Sequence, residues 1–209
     1  MAQLIRGLDA RRVADNLARV RDEVGEGVQV LAAVKYVALE EIGVLAEAGV
    51  TVVGENRAQE LEAKAAAHPE LTWDFIGHLQ SRKVKQVLPL VRWIHSVASD
   101  SALAQLGRHG DEHTEVLVEV NVAREEGKSG VMPDELGRFL ERCPVRVVGL
   151  MTMPPFTERP EDSRRWFAAL AELAGAHGLP ELSMGTSQDY VVAAQEGATI
   201  VRLGTSLYT

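Results

Sequence analysis

Residues 181–206 read ELSMGTSQDYVVAAQEGATIVRLGTS, which contains two short apolar runs that both lead into Gly-Thr-Ser. Between the runs, QDYVVAAQEG (188–197) has the mixed polar and apolar pattern of a helix. A strand, a helix and a second strand in this order make up one βαβ unit, because two parallel strands need a crossover connection. The stretch therefore favours an α/β fold with a parallel sheet.

The same alternation covers the rest of the chain. An amphipathic helix, LDARRVADNLARVRDEV (8–24), comes first, and two later helical segments end on glycines that suit helix C-caps, Gly49 and Gly178. Eight apolar, β-branched runs follow the first helix: VQVLAAVKY (28–36), VTVVGEN (50–56), LTWDFIGH (71–78), WIHSVAS (93–99), EVLVEVNV (115–122), VRVVGLMTM (145–153), ELSMGTS (181–187) and TIVRLGTS (199–206).

Eight strands alternating with helices predict one (β/α)8 barrel, a TIM barrel, as a single domain over residues 1–209 with an extra N-terminal helix. A doubly wound open sheet is the alternative. The first predicted strand is not followed by the G-x-G-x-x-G fingerprint of dinucleotide-binding open sheets, which weakly favours the barrel.

Composition limits the function classes. The net charge of −8 and the pI near 5.3 argue against a nucleic-acid or anionic-membrane partner, which clustered Lys and Arg would recognise. The first residues lack the apolar core of a signal peptide, and no run of about 18 apolar residues occurs. The single cysteine, Cys143, cannot form an internal disulfide. We expect a cytoplasmic protein.

The two Gly-Thr-Ser motifs lie where a barrel commonly binds phosphate, in the loops after strands seven and eight. Glycine lets backbone N–H groups approach an anion closely, and the neighbouring hydroxyls add further donors. The helix predicted after Ser187 would point its free N–H groups at the same place. One such motif is more often a plain turn, and two of them leave the turn and the anion site as equal alternatives.

Lys35 is unusual because it lies near the end of an otherwise apolar strand, in QVLAAVKYV (29–37). Barrel closure places strand eight beside strand one, about 4.8 Å away, so Lys35 would face the mouth close to the Gly-Thr-Ser loops. A lysine amine beside a phosphate-bearing aldehyde is suited to imine formation, which implies pyridoxal 5′-phosphate (PLP) as ligand. The alternative is that Lys35 extends from the strand end to solvent.

Eight segments, in order and at matching spacing, carry a family resemblance: AAVKY (32–36), GENRAQE (54–60), WDFIGHLQSRKVK (73–85), IHSV (94–97), KSGV (128–131), GLMTM (149–153), LSMGTSQDY (182–190) and VRLGTSLY (201–208). On these the chain resembles the PLP homeostasis protein family, whose members have an alanine racemase-like barrel as their only domain. The resemblance implies that PLP is held as a Schiff base on Lys35. It also implies four phosphate contacts, Arg202 near the pyridine nitrogen and Asn56 as a further neighbour; the phosphate contacts are Ser183, Ser187, Gly204 and Thr205.

The chain departs from the usual family pattern at three positions. Thr186 and Gln188 stand where family members often have Met and Asp, and Arg82 stands where Asn is common. These changes leave the expected imine and anion groups intact and concern only contacts at the rim.

An arginine beside the ring nitrogen disfavours protonation of that nitrogen, so the ring becomes a poor electron sink. We therefore expect a PLP carrier for vitamin B6 homeostasis that serves apo PLP-dependent enzymes, acts as a monomer and has no catalytic residue of its own. The alternative is a racemase-like enzyme. Racemisation needs a second acid or base, which in the resembling racemases is a tyrosine from a further domain, and this chain leaves no residues for that domain. Three phenols could substitute: Tyr36, Tyr190 and Tyr208.

Other motifs favour plainer interpretations. EEGKSG (125–130) would need glycine at position 122 to form a P-loop, and Val122 stands there, so we place Lys128 in a loop near the barrel mouth. His78 and His95 end or lie in strands without a neighbouring ligand cluster, so we expect hydrogen-bonded histidines and no metal. Cys143 precedes Pro144 at the opposite end of the barrel and is expected to be structural.

Overall fold

The eight apolar runs form the eight parallel strands of a closed barrel in this computed structural model, which describes residues 4–209. The strands are β1 (Gln29–Ala33), β2 (Val52–Glu55), β3 (Thr72–Phe75), β4 (Trp93–Val97), β5 (Glu115–Glu119), β6 (Arg146–Met151), β7 (Glu181–Thr186) and β8 (Ile200–Leu203). Each strand pairs with the next in the chain, and β8 pairs with β1. The predicted barrel is therefore confirmed, and the open sheet is excluded.

Helices on the outside connect successive strands, as the alternation predicts. The helices are α1 (Ala10–Val24), α2 (Ile42–Glu47), α3 (Ala58–Ala67), α4 (Val84–Val87), α5 (Asp100–His109), α6 (Leu136–Glu141), α7 (Arg164–Ala176), α8 (Tyr190–Gln195) and α9 (Thr205–Tyr208). Several are extended by single 3-10 turns, for example Pro160–Ser163 before α7. Nowhere in residues 4–209 is there a helix long and apolar enough to cross a membrane.

The extra N-terminal helix is present and packs on the barrel through one apolar face. In α1, Val13, Leu17 and Val20 are buried, and the Asp9 side chain caps the helix by accepting from the Arg12 N–H at 2.9 Å. Asn16 donates to the Leu207 carbonyl at 3.1 Å, which ties α1 to the last helix of the chain.

Two layers of side chains fill the protein. Strand residues alternate between the helix layer and the barrel interior, because successive side chains point to opposite faces. In β1, Val30 and Ala32 belong to the large core shared with the helices, whereas Leu31 between them packs with Val52 and Ile200 in a separate cluster inside the barrel. The interior also contains buried charged and hydroxyl side chains, among them Asp74, Ser183 and Arg202.

Barrel closure fixes the position of the two predicted site segments relative to each other. Leu31 pairs with Arg202, and Ala32 pairs with Leu203, in the β1–β8 register. Lys35 follows β1 by two residues, and Gly204 follows β8 directly. Residues separated by about 170 positions in sequence therefore meet at the same end of the barrel, as the closure argument predicts.

Candidate functional site

A cavity of about 580 Å³ opens at the carboxyl end of the strands. Five of the seven predicted site residues line it: Lys35, Asn56, Arg202, Gly204 and Thr205. The other two, Ser183 and Ser187, lie behind the cavity wall and contact lining residues. The structure thus brings all seven predicted residues to one end of the barrel.

Lys35 lies in a turn directly after β1. The turn is closed by a hydrogen bond from the Val37 N–H to the Val34 carbonyl at 3.0 Å, and it directs the half-buried lysine to the cavity. The Lys35 ammonium lies 4.4 Å from the centre of the Tyr36 ring, within the range of a cation–π contact. The amine is therefore placed at the mouth, as expected, and does not simply extend into bulk solvent.

A buried ion pair connects this turn to the loop after β2. The Lys64 ammonium donates to Glu55 at 2.6 Å and to the Val34 carbonyl at 2.8 Å, and both side chains are almost fully buried. The other Glu55 oxygen accepts from the N–H groups of Asn56 and Arg57 at 2.6 and 2.9 Å. The pair thus links the peptide before Lys35 to the loop that carries Asn56.

Sequence reasoning missed this ion pair, because nothing in the spacing of Glu55 and Lys64 shows that both turn inward. A carboxylate at the end of a four-residue buried strand was the one available signal. The Asn56 loop is further fixed by Gly77, where an added Cβ would lie 2.1 Å from the Asn56 carbonyl oxygen.

The loops after β7 and β8 form an anion cradle. The Ser187 hydroxyl oxygen accepts from the N–H groups of Gly204 and Ser206 at 3.2 and 3.1 Å, and the Ser206 hydroxyl donates to the Ser187 carbonyl at 3.2 Å. Two backbone donors therefore converge on one oxygen beside Gly204 and Thr205, which line the cavity. A phosphate oxygen could accept the same two N–H groups, so these residues fit a phosphate-bearing ligand.

Asp189 lies directly before α8, where the sequence predicts free N–H groups that point at the anion site, but its side chain has a different role. Its carboxylate accepts from the Thr186 N–H at 2.8 Å and from the Thr186 hydroxyl at 3.1 Å. It thereby closes the turn that carries Ser187.

Arg202 reaches the cavity from β8 with both terminal nitrogens already bonded. Nη1 donates to the Ser183 hydroxyl at 2.7 Å, and Nη2 donates to the Thr152 carbonyl at 2.9 Å. Arg202 also lines the cavity, so its guanidinium borders the space that a ligand would occupy. Burial lowers the pKa of Arg202 to about 10, so the guanidinium stays charged at neutral pH.

Ser183 lies deeper than the resemblance implies. Its side chain is fully buried in β7, and its hydroxyl contacts His95 Nδ1 at 2.8 Å as well as Arg202. A phosphate contact would require this hydroxyl to give up one of these bonds. The role of Ser183 toward phosphate stays a prediction.

Glu119, which the sequence did not single out, is the one carboxylate in the cavity wall within residues 4–209. It ends β5, is nine-tenths buried, and accepts from the Ser129 hydroxyl at 2.9 Å. Burial raises the pKa of Glu119. Ser129 lines the cavity and belongs to the same loop as Lys128, so that loop lies at the mouth as expected. Within the loop, the Lys128 ammonium contacts Glu125 at 2.6 Å.

Two of the three phenols border the cavity. Tyr36 and Tyr208 line it, and the Tyr208 hydroxyl donates to the Ala33 carbonyl at 3.0 Å. Burial raises the pKa of the Tyr208 phenol, so it stays protonated. Tyr190 instead hydrogen-bonds Glu23 on α1, away from the cavity.

The three departures from the family pattern lie at or outside the rim. Thr186 lines the cavity, Gln188 donates to the Thr157 carbonyl, and Arg82 donates to Gln80 at 3.1 Å on the surface.

The other polar residues named in the sequence analysis lie in different environments. His95 is buried and hydrogen-bonded, whereas His78 is exposed at the mouth. Within residues 4–209 no three His, Cys, Asp or Glu side chains form a group that could hold a metal ion. Cys143 is a free, half-buried thiol whose pKa is raised by burial.

Comparisons with known proteins agree with this geometry. The sequence model of the alanine racemase N-terminal domain matches residues 8–209. The pyridoxal phosphate homeostasis protein of Aquifex aeolicus is 40% identical over 94% of both chains, and that of a Synechocystis species is 34% identical over 87% of this chain and 90% of its own.

Solved structures give the same picture. PipY of Synechococcus elongatus with PLP bound is 32% identical, with a TM-score of 0.81 over 94% of this chain and 100% of PipY. Alanine racemase from Corynebacterium glutamicum, at 16% identity, shares the fold with a TM-score of 0.74 over 100% of this chain and 63% of its own. The chain therefore belongs to the pyridoxal phosphate homeostasis protein family, which has the fold of the alanine racemase N-terminal domain.

Proposed function

We propose that this protein binds PLP covalently through Lys35 and serves intracellular PLP homeostasis as a carrier. The observation that carries the proposal is the opening of three groups onto one cavity: the Lys35 amine, the Gly204 and Thr205 part of the cradle, and the Arg202 guanidinium. The names of the relatives and the PLP bound to PipY support the same ligand.

Each part of the site has a distinct task. The phosphate would accept from the N–H groups of Gly204 and Ser206 in place of the Ser187 oxygen, whose hydroxyl would then donate to the phosphate, and the adjoining Thr205 would line the pocket. When bound, PLP would supply an aldehyde, and the Lys35 amine would be the group that captures it as a Schiff base, with loss of one water. Asn56 lies in the wall beside Lys35 and would contact the ring edge.

Arg202 favours retention of PLP over its use in catalysis. Its two Nη atoms are held by the barrel, and the charged guanidinium lines the cavity. A fixed positive charge beside a pyridine nitrogen disfavours protonation of that nitrogen, so carbanions on the ligand gain little stabilisation. We therefore propose that the protein has no robust catalytic activity.

Racemase-like activity is the second candidate, because the Tyr36 phenol lines the cavity beside Lys35. Incubating the PLP-loaded protein with each enantiomer of alanine in deuterated water tests it. The carrier proposal expects negligible deuterium at the α-carbon and no inversion. Rapid exchange that Tyr36→Phe abolishes would establish the enzyme instead.

A PLP titration followed by absorbance and dialysis tests the carrier proposal. Wild type should retain PLP through dialysis, whereas Lys35→Ala should lose it, and Lys85→Ala, which removes an exposed lysine on α4, should behave as wild type. Ser187→Ala should weaken retention about tenfold by disturbing the cradle. Equal retention by wild type and Lys35→Ala would refute the covalent link.

We further propose that the protein acts in the cytoplasm as a monomer, that it donates PLP to apo-enzymes, and that it has no nucleic-acid or membrane partner. The acidic composition supports the last point. Mixing loaded protein with a PLP-dependent apo-enzyme behind a dialysis membrane, and then without the membrane, would separate release into solution from transfer by contact. Light scattering after gel filtration would give the mass in solution.

A further inference from the structure

A continuous chain of buried side chains runs through the barrel interior from its floor to Arg202. At the floor, Arg92 donates to both oxygens of Asp74, at 3.1 and 2.5 Å. Asp74 contacts His95 Nε2 at 3.1 Å, and His95 Nδ1 contacts the Ser183 hydroxyl at 2.8 Å. Ser183 then accepts from Arg202 Nη1 at 2.7 Å. Asp74, His95 and Ser183 have no exposed surface.

Chemistry fixes the direction of every hydrogen bond in this chain. Arg202 can only donate, so the Ser183 oxygen is the acceptor. Burial acts to raise the pKa of Asp74, but its bonds with His95 and Arg92 hold that pKa below the ordinary value. Asp74 is therefore an ionised acceptor, and His95 Nε2 carries the proton between them.

The remaining nitrogen of His95 must then accept. Burial lowers the pKa of His95 more than the nearby Asp74 raises it, so the imidazole is neutral and Nδ1 has a free lone pair. The Ser183 proton therefore points to Nδ1. Donation runs one way, from the Arg202 guanidinium through Ser183 and His95 to the Asp74 carboxylate.

A one-way chain of this kind restricts the Arg202 side chain. Ser183 could otherwise rotate its hydroxyl toward either neighbour, but His95 holds the proton and leaves a lone pair for Nη1. With Nη2 bonded to the Thr152 carbonyl, the guanidinium plane has two fixed points, and Arg202 lines the cavity in that orientation. An apolar interior, such as the adjacent cluster of Leu31 and Ile200, would provide no such orientation.

We propose that His95 and Asp74 are positioning residues that orient Arg202 toward the ring nitrogen of the ligand. This inference rests on the proposed function, in which the ligand is PLP. His95 acts through Ser183 and does not line the cavity. Asp74 fixes the tautomer of His95 and provides the negative end of the chain, and Arg92 holds Asp74 from the floor.

The ¹⁵N spectrum of the imidazole rings in the ligand-free wild-type protein tests the direction of the chain. His95 should show a protonated Nε2 and an unprotonated Nδ1 at pH 7 and above. The assignment would come from the loss of these signals in His95→Gln. An imidazolium, or the opposite tautomer, at pH 7 would overturn the proposal.

Ligand binding tests the orientation of Arg202. The probes are PLP and its analogue in which a CH group replaces the ring nitrogen. His95→Leu should weaken PLP binding about tenfold but change binding of the analogue less than twofold, because only PLP has the nitrogen that Arg202 faces. His95→Gln, which can still accept from Ser183 and donate to Asp74, should recover much of the loss.

A core variant outside this series of hydrogen-bonded side chains is the matched control. Leu106→Ala removes a fully buried side chain from α5 and should lower the melting temperature while changing the affinity for both probes by the same small factor. Equal weakening of both probes in His95→Leu would overturn the positioning role. Loss of PLP retention by wild type itself, or retention by Lys35→Ala, would instead refute the proposed function.

Discussion

Replacing Lys64 by methionine should destabilise the protein strongly, because Lys64 is the partner of a buried carboxylate. Methionine keeps most of the aliphatic stem, so little packing is lost. The ammonium, however, makes bonds of 2.6 Å to Glu55 and 2.8 Å to the Val34 carbonyl, and Glu55 has no exposed surface. Leaving such a charge without its partner costs about 3–5 kcal/mol. We expect the free energy of unfolding to fall by that amount.

Urea unfolding, followed by tryptophan fluorescence and far-UV circular dichroism, measures this loss. Lys85→Met on the exposed face of α4 is the control and should change stability by less than about 0.5 kcal/mol. The double variant Glu55→Gln with Lys64→Met should recover most of the loss, since no buried charge remains and glutamine can still accept from the Asn56 and Arg57 N–H groups. A loss below about 1 kcal/mol in Lys64→Met, the size typical of a surface pair, would refute the reasoning.

Two further predictions concern the loops and the barrel interior. Gly77→Ala should lower the free energy of unfolding by about 1–3 kcal/mol and weaken PLP binding, because the added Cβ would lie 2.1 Å from the Asn56 carbonyl oxygen. Gly175→Ala on α7 is the control and should be neutral or stabilising, since an added Cβ there would have nothing within 4 Å. Equal effects of the two substitutions in chemical denaturation would contradict this prediction. The pKa of His95 is lowered from 6.5 in the folded state by burial, so below pH 6.5 the unfolded chain binds a proton that the folded protein does not, and stability falls as the pH drops. As the pH falls below 6.5 the wild type should lose more stability than His95→Gln, and parallel stability–pH curves for the two proteins would argue against a neutral buried imidazole.

The barrel and the meeting of Lys35 with Gly204 could be predicted because both follow from local signals and one closure rule. A short apolar run in the sequence marks each strand, and a closed eight-strand barrel must place its first and last strands side by side. The side chains that line the mouth then follow from their position at strand ends.

The polar partners inside the barrel could not be predicted in the same way. Asp74, His95 and Ser183 lie on three different strands, and sequence alone does not show which interior positions of separate strands reach the same height. Strand alternation did contain one unused signal. Ser183 stands between Leu182 and Met184, which pack in the helix-facing core, so it had to point into the barrel and away from the loop that carries the cradle.

Glu119 shows a different limit. It ends an apolar run as Lys35 does, but a carboxylate suggested no role toward a phosphate-bearing ligand, and only the structure shows that it lines the cavity beside Ser129. The burial of Lys64 in α3 beside Glu55 has no signal in the sequence, because lysine is rarely buried.

Borohydride reduction of the PLP-loaded protein, followed by peptide mapping, tests the central claim most directly. Reduction converts the carbon–nitrogen double bond to a stable secondary amine, so the modified residue can be identified by mass. The account predicts one pyridoxyl group, on the peptide that contains Lys35, and none in Lys35→Ala. A modification on another lysine, or an unmodified Lys35 in protein that had retained PLP, would contradict it.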